Sequence, residues 1–182
     1  MSTAIGFLET NSIARGVQAA DEMLKAAEVT LVFARPNCPG KYNVLIKGEV
    51  AAVDAAIQAG IAAAGSYLVE QLVIARVHPE VVRAISAAGG VSQVGALGVL
   101  EYFSITGAIL GADAAVKAAQ VELVDVRLGT GIGGKSFAVI TGDVAAVTQA
   151  VEHGAAIAKK DGMLFAKTVI ARPTPAIFES ML

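Results

Sequence analysis

The sequence repeats itself, and this repeat restricts the possible fold more than any other feature. Segment 4–9 (AIGFLE) recurs as 96–101 (ALGVLE), and 14 of the 29 residues in 4–32 are identical to the residue 92 positions later. The offset grows to 94 at the Gly-Lys pairs 40–41 and 134–135, and to 96 at the IAR segments 74–76 and 170–172. We therefore expect two similar domains, 1–90 and 94–182, joined by the Gly-rich stretch 88–95.

Both copies have the same predicted order of elements, β-α-β-β-α-β followed by a short helix. Ser12 as N-cap and apolar residues at helical spacing predict a helix over 12–27, and an alanine-rich helix follows over 49–65. Strands are predicted over 4–10, 29–35, 42–48 and 72–76, and Pro79 starts the last helix. This order predicts an α+β, ferredoxin-like fold, in which an antiparallel sheet carries helices on one face.

The composition combines high hydrophobicity with few charges. Hydrophobic residues make up 55% of the chain and charged residues 16%, which excludes a disordered protein. The longest uncharged run, 84–100, has 17 residues and is interrupted by Gly, Ser and Gln, so we predict no membrane span. We expect a soluble chain that buries much of its surface against other copies of itself.

Charge and cysteine usage limit the partners and the compartment. The net charge is −2 and basic residues are not clustered, so no nucleic-acid surface is predicted. The start of the chain has neither a charged segment nor an apolar one, and Cys38 is the single cysteine. We therefore expect a protein of the reducing cytoplasm, without an internal disulfide.

The repeated motifs resemble the bacterial microcompartment shell domain. They are AIGFLE at 4–9, ADEMLKAA at 20–27, GEVAAV at 48–53 and IARVH at 74–78, with counterparts in the second copy up to IARP at 170–173. Two such domains in one chain resemble the tandem class, which forms trimers that mimic hexamers, and the strand-first order shows no circular permutation. The resemblance implies a structural shell protein and not an enzyme. Its implied partners are copies of itself in a homotrimer, other shell proteins edge to edge, and encapsulated redox enzymes.

The resemblance also implies roles for four basic residues. The lysine of the first-helix motif and the arginine of the last-strand motif lie at tile edges in this family. A flexible lysine stem suits a flat contact, and the arginine fork can donate to carbonyls of a neighbouring tile. The residues at these positions are Lys25, Arg76, Lys117 and Arg172.

The loops after the second strand of each copy face the central axis in this family. Segment 35–41 (RPNCPGK) is similar to the iron–sulfur tandem shell proteins of propanediol-utilisation compartments. Three chains would then bring three Cys38 thiolates to one axis, enough for a 4Fe–4S cluster whose fourth ligand is not a cysteine. Such a cluster could transfer electrons across the shell or be delivered to enzymes inside. The other axis-loop residues are Asn37, Pro39 and Gly40 in the first copy, and Gly131, Ile132 and Gly133 in the second.

Two alternatives to the cluster stay open at this stage. A plain pore would pass small metabolites through the axis loops and leave Cys38 as a free thiol. A different class, the trimeric ferredoxin-like sensors, binds small ligands between subunits, but it needs neither paired edge motifs nor sheets of tiles. Arrays or tubes in electron microscopy would favour the shell interpretation.

Several further motifs invite a catalytic interpretation that the sequence does not favour. Segment 129–136 (GTGIGGKS) matches the phosphate-binding P-loop, but 137–142 predicts a strand where a P-loop needs a helix. His78 and His153 lack a second ligand at metal spacing and are interpreted as surface or packing residues. Glu9 and Glu101 end equivalent strands, and we expect them to serve a subunit interface rather than acid–base chemistry.

Overall fold

The computed structural model describes residues 3–86, 95–129, 131–159 and 163–180. The chain folds into two compact units, Met1–Val77 and His78–Leu182. The short helix that begins at Pro79 packs within the second unit. The domain limits predicted from the sequence place this helix in the first domain, 1–90. Of the predicted linker 88–95, all but Gly95 lies outside the described residues.

The first unit is a four-stranded antiparallel sheet with two helices. Its strands lie in the order β2-β3-β1-β4, and every neighbouring pair is antiparallel. The predicted architecture is therefore confirmed for this unit. The elements are β1 (Ala4–Thr10), α1 (Ile13–Ala26), β2 (Thr30–Asn37), β3 (Lys41–Gly48), α2 (Val50–Ala64), a 3₁₀ turn (Gly65–Tyr67) and β4 (Leu68–Ile74).

The second unit repeats this architecture and adds a short helix at each end. Its sheet has the equivalent order β6-β7-β5-β8, again antiparallel throughout. The elements are α3 (Pro79–Ile85), β5 (Ala96–Tyr102), α4 (Ile105–Ala118), β6 (Glu122–Leu128), β7 (Ser136–Gly142), α5 (Val144–Lys159), β8 (Leu164–Ile170) and α6 (Pro175–Glu179).

β2 ends two residues after its predicted limit and β4 begins four residues before its own, both for identifiable reasons. β2 continues to Asn37 because the β2–β3 hairpin is tight: Asn37 pairs with Lys41, and only 38–40 form the turn. β4 begins at Leu68 instead of residue 72, because it pairs with β1 from Ile5 as far as Thr10. Pairing with a neighbour, which local composition does not encode, sets both strand ends.

Serine caps start the equivalent helices α1 and α4, as predicted for Ser12. The Ser12 hydroxyl accepts a hydrogen bond from the Arg15 N–H at 3.4 Å, and the Ser104 hydroxyl accepts one from the Gly107 N–H at 3.0 Å. Each bond satisfies one of the N–H groups that a helix start leaves without an internal partner.

Small residues allow the alanine-rich helices to lie close to the sheets. A Cβ on Gly6 of β1 would lie 2.7 Å from the Ile57 side chain of α2, and a Cβ on Gly98 of β5 would lie 2.7 Å from the Val151 side chain of α5. By length and composition alone, Val50–Tyr67 could span a membrane. In the structure, however, α2 contributes Val53 and Ile57, both fully buried, to the core of the first unit.

Candidate functional site

Cys38 lies in the short turn that joins β2 to β3. The residue is exposed and its thiol is free. The turn is closed by a hydrogen bond from the Gly40 N–H to the Asn37 carbonyl at 2.9 Å. Gly40 has φ +86°, a left-handed conformation that favours glycine. The sequence-predicted loop residues Asn37, Cys38, Pro39 and Gly40 are thus adjacent in one tight turn that presents the thiol at the surface.

A buried polar network lies beneath this turn. Glu9 of β1, Asn43 of β3 and Asn37 of β2 are 3%, 1% and 6% exposed. Glu9 Oε2 accepts from Lys41 Nζ at 2.9 Å. With its amide oriented so that both polar atoms are satisfied, Asn43 donates to Glu9 Oε1 at 3.2 Å and accepts from Asn37 Nδ2 at 2.9 Å. Asn37 Oδ1 accepts from the Cys38 N–H at 2.8 Å.

The position of Glu9 contradicts its predicted role at a subunit interface. Its side chain is enclosed by its own unit, so a neighbouring chain cannot reach it. Burial raises the pKa of this carboxyl group above its ordinary value, and the hydrogen bond and charge of Lys41 offset part of that rise. The equivalent Glu101 pairs with Lys135 in the second unit. Each of the two carboxylates thus forms an ion pair with a lysine of its own unit.

The corresponding loop of the second unit is rich in glycine. Gly131 and Gly133 have φ of +76° and +66°, and a Cβ on either would meet nothing within 4 Å. Ile132 lies between them, and its carbonyl accepts from the Lys135 N–H at 3.3 Å. β7 follows at Ser136, so the predicted strand is confirmed and the P-loop match lacks the helix that phosphate binding requires. Lys135 Nζ pairs with Glu101 and lies 4.2 Å from the centre of the Phe165 ring.

One chain supplies a single thiol at this site. Among the described residues, no group of three or more His, Cys, Asp or Glu side chains is arranged to hold a metal ion. His78 caps α3, its Nδ1 accepting from the Glu80 N–H at 3.4 Å, and His153 Nδ1 lies 2.9 Å from the Gln149 carbonyl of its own helix. Any metal held through Cys38 therefore requires ligands from other copies of the chain or from solvent.

The four predicted edge residues occupy equivalent places in the two units. Lys25 and Lys117 lie in the last turns of α1 and α4 and pair with the aspartate one turn earlier, Asp21 and Asp113 respectively. The arginines follow β4 and β8. All four predicted edge residues are exposed. The arginines are Arg76 and Arg172.

Sequence reasoning missed an exposed apolar stripe on α1. Ile13, Val17 and Leu24 are exposed, with Val17 at 51%. Their counterparts in α4, which are Ile105, Ile109 and Val116, are all buried. The two helices have similar apolar patterns in the sequence, so only the structure distinguishes the covered face from the uncovered one.

Comparison with known proteins places these observations in a family. The model of the BMC domain matches residues 4–77 and again 96–173. The bacterial microcompartment shell protein PduT of Citrobacter freundii is 42% identical over 182 residues, covering 100% of this chain and 99% of its own. The carboxysome assembly protein CcmO of Synechococcus elongatus is 33% identical over 193 residues, covering 98% of this chain and 68% of its own.

A solved structure matches the fold as well as the sequence. A microcompartments protein from Desulfitobacterium hafniense superposes with a TM-score of 0.95 at 49% identity, covering 98% of this chain and 99% of that one. Both domains are therefore shared with a microcompartment shell protein over the whole of this chain. The chain belongs to the BMC-domain family of bacterial microcompartment shell proteins, with two of these domains in tandem.

Proposed function

We propose that three copies of this chain form a six-domain tile of a microcompartment shell in the cytoplasm, and that their three Cys38 thiolates hold one 4Fe–4S cluster at the tile axis. The tile packs edge to edge with other shell proteins through Lys25, Arg76, Lys117 and Arg172. The bound cluster would supply one-electron chemistry for electron transfer across the shell, or the cluster itself would be delivered to enzymes inside.

The unequal burial of α1 and α4 supports self-association. Val17 of α1 is 51% exposed, whereas its counterpart Ile109 in α4 is fully buried. An apolar face that is covered in one repeat and uncovered in the other fits a head-to-tail contact, in which a second copy covers α1. Contacts of this kind close into a ring when the rotation between neighbours is right, and six domains from three chains make such a ring.

The edge strands of the two sheets lead to the same conclusion. Leu123 of β6 is 1% exposed, and its backbone is bonded by α3: the Leu123 N–H donates to Glu80 Oε2 at 2.9 Å, and Arg83 Nη2 donates to the Leu123 carbonyl at 3.4 Å. The equivalent Leu31 of β2 is 40% exposed. An open groove of about 620 Å³ lies at the start of β2, where a second copy can pack. Its lining residues are Thr3, Glu28, Val29, Thr30, Lys47, Gly48 and Glu49.

The exposed turn at Cys38 supports the cluster assignment. Iron–sulfur clusters are held by cysteine thiolates, and a ligand near an axis must be exposed in the single chain. Cys38 meets this condition. Because it is the single cysteine of the chain, each chain contributes one thiol. Three-fold symmetry supplies three of the four ligands, and the fourth must be a different group, such as water.

Anaerobic reconstitution tests the cluster directly. Protein treated with iron and sulfide should contain about four irons and four sulfides per three chains and show the broad visible absorption of an iron–sulfur centre. Cys38→Ser should contain neither, while Ser86→Ala, a change to another exposed residue, should behave as the unaltered protein. Equal iron in Cys38→Ser would contradict the assignment and favour a pore with a free thiol.

A further inference from the structure

The turn that carries Cys38 differs from its counterpart in what lies beneath it. Both units keep a glutamate–lysine pair, Glu9 with Lys41 and Glu101 with Lys135. Only the first unit adds two buried amides. At the position of Asn43 the second unit has Phe137, which pairs with Arg127 as Asn43 pairs with Arg35.

The amide at the end of β2 is also specific to the first unit. Pro36 of β2 and Leu128 of β6 occupy equivalent positions in the two hairpins. The residue after Pro36 is Asn37, whereas the residue after Leu128 is Gly129. Gly129 has φ +70° and no side chain that could bond the loop. The half of the chain that lacks the cysteine therefore lacks both amides as well.

Buried amides are unfavourable unless every polar atom finds a partner. The second unit pairs the equivalent strands across a longer connection, between Leu128 and Ser136, with Phe137 and Gly129 in place of the amides. The strand pairing itself therefore does not need the two amides. The function of the amides must then lie in the segment to which they are bonded. The network ends at the Cys38 N–H, which donates to Asn37 Oδ1 at 2.8 Å.

We propose that the network Glu9–Asn43–Asn37 is a positioning device, with Asn37 and Asn43 as the positioning residues that fix the Cys38 backbone for ligand binding. Asn37 fixes the direction of the peptide group that precedes the thiol. Asn43 fixes Asn37, and Glu9, neutralised in part by Lys41, fixes Asn43. This inference rests on the proposed ligand role of Cys38. Partners behind the first ligands commonly orient them and raise the affinity for metal.

Hydrogen exchange in iron-free protein tests the network without depending on the cluster. Asn37→Gly copies the residue of the second unit and removes the acceptor of the Cys38 N–H. We expect exchange of that amide to accelerate by at least about tenfold, the factor that corresponds to loss of a bond worth roughly 1.4 kcal/mol. Asn37→Asp keeps the acceptor oxygen and should retain slow exchange.

Alkylation of Cys38 by iodoacetamide gives a second readout, because the chain has no other cysteine. Asn43→Leu should change the alkylation rate and shorten the lifetime of bound iron after reconstitution, while the matched change Phe137→Leu in the second unit should alter neither. Circular dichroism and native mass establish that each variant is folded and assembled.

The outcomes separate the two proposals. Folded Asn37→Gly and Asn43→Leu proteins with unaltered exchange and alkylation at Cys38 would overturn the positioning role, whatever the iron content. If the unaltered protein binds no iron but the variants still change exchange and alkylation, the cluster assignment fails and the positioning of the thiol stands.

Discussion

At the scale of single residues, the two units solve one packing problem in two ways. In the first unit Tyr42 lies against Gly16, where a Cβ would be 2.4 Å from the tyrosine Cβ. In the second unit the residue equivalent to Tyr42 is Ser136, and the bulky ring comes instead from Tyr102, which lies against Gly111. Large and small residues have exchanged places across the repeat, which keeps both interiors close-packed.

Gly111 is the residue at which this packing can be tested. A Cβ there would lie 1.9 Å from the Tyr102 hydroxyl oxygen, so Gly111→Ala forces a buried ring to move. We expect the free energy of unfolding to fall by about 1–3 kcal/mol, as for other overpacked cores. Gly48→Ala is the control, because its Cβ would meet nothing closer than 3.4 Å. Urea unfolding at a fixed protein concentration measures both; equal losses would refute the packing account.

Glu9 predicts a pH dependence of stability with a definite sign. Burial raises its pKa in the folded chain above the ordinary 4.5, so the folded state binds this proton more tightly than the unfolded chain does. The contribution to stability is complete below pH 4.5 and is lost as the pH rises through the raised pKa. The stability of the unaltered protein minus that of Glu9→Gln should therefore fall from about pH 4 to pH 7. A difference that rises over this range would show that the Lys41 pair outweighs burial.

At the scale of elements, local sequence signals predicted the helices and strands but not which of their faces are buried. Ser12, the apolar residues at helical spacing and Pro79 predicted the type and order of the helices and strands of the first repeat, but not the 3₁₀ turn Gly65–Tyr67. The sequence could not show that Val17 is exposed while Ile109 is buried, because both residues continue the same apolar pattern. It also missed Asn43, whose role depends on a strand pairing with β1 that brings it to Glu9.

The two serine caps predict unequal effects on helix stability. Ser104 accepts from the Gly107 N–H at 3.0 Å in a partly buried site, and Ser12 accepts from the Arg15 N–H at 3.4 Å in an exposed one. Ser104→Ala should lower the free energy of unfolding by about 1 kcal/mol, and Ser12→Ala by a few tenths of that. Thermal unfolding of the two variants checks the order, and a larger loss for Ser12→Ala would contradict it.

The α1 stripe predicts where assembly can be broken. Val17→Asp puts a charge on the exposed apolar face, and burying a valine is worth about 1.5–3 kcal/mol, so the dissociation constant between chains should rise at least about tenfold. Ile157→Asp is the control, because Ile157 is also an exposed apolar residue but lies on α5. Sedimentation over a range of concentrations measures both. Unchanged association of Val17→Asp would mean that another surface joins the chains.

At the scale of the whole molecule, the composition fits the proposed tile. The chain has 55% hydrophobic residues and 16% charged ones, yet it leaves apolar residues exposed on α1 and β2. A protein that is surrounded by its own copies needs few charges on its contact faces. The tandem fold and the different axis loops of its halves could be predicted from the sequence, whereas the exposed face of α1 and the amide network beneath the Cys38 turn could not.

Native mass spectrometry of anaerobically reconstituted protein tests the central claim most directly. We expect a species of three chains that carries one additional mass of four irons and four sulfides, and a three-chain species without that mass for Cys38→Ser. Three chains without iron would contradict the cluster while leaving the tile intact. A single chain, or a cluster that survives Cys38→Ser, would contradict the three-fold site itself.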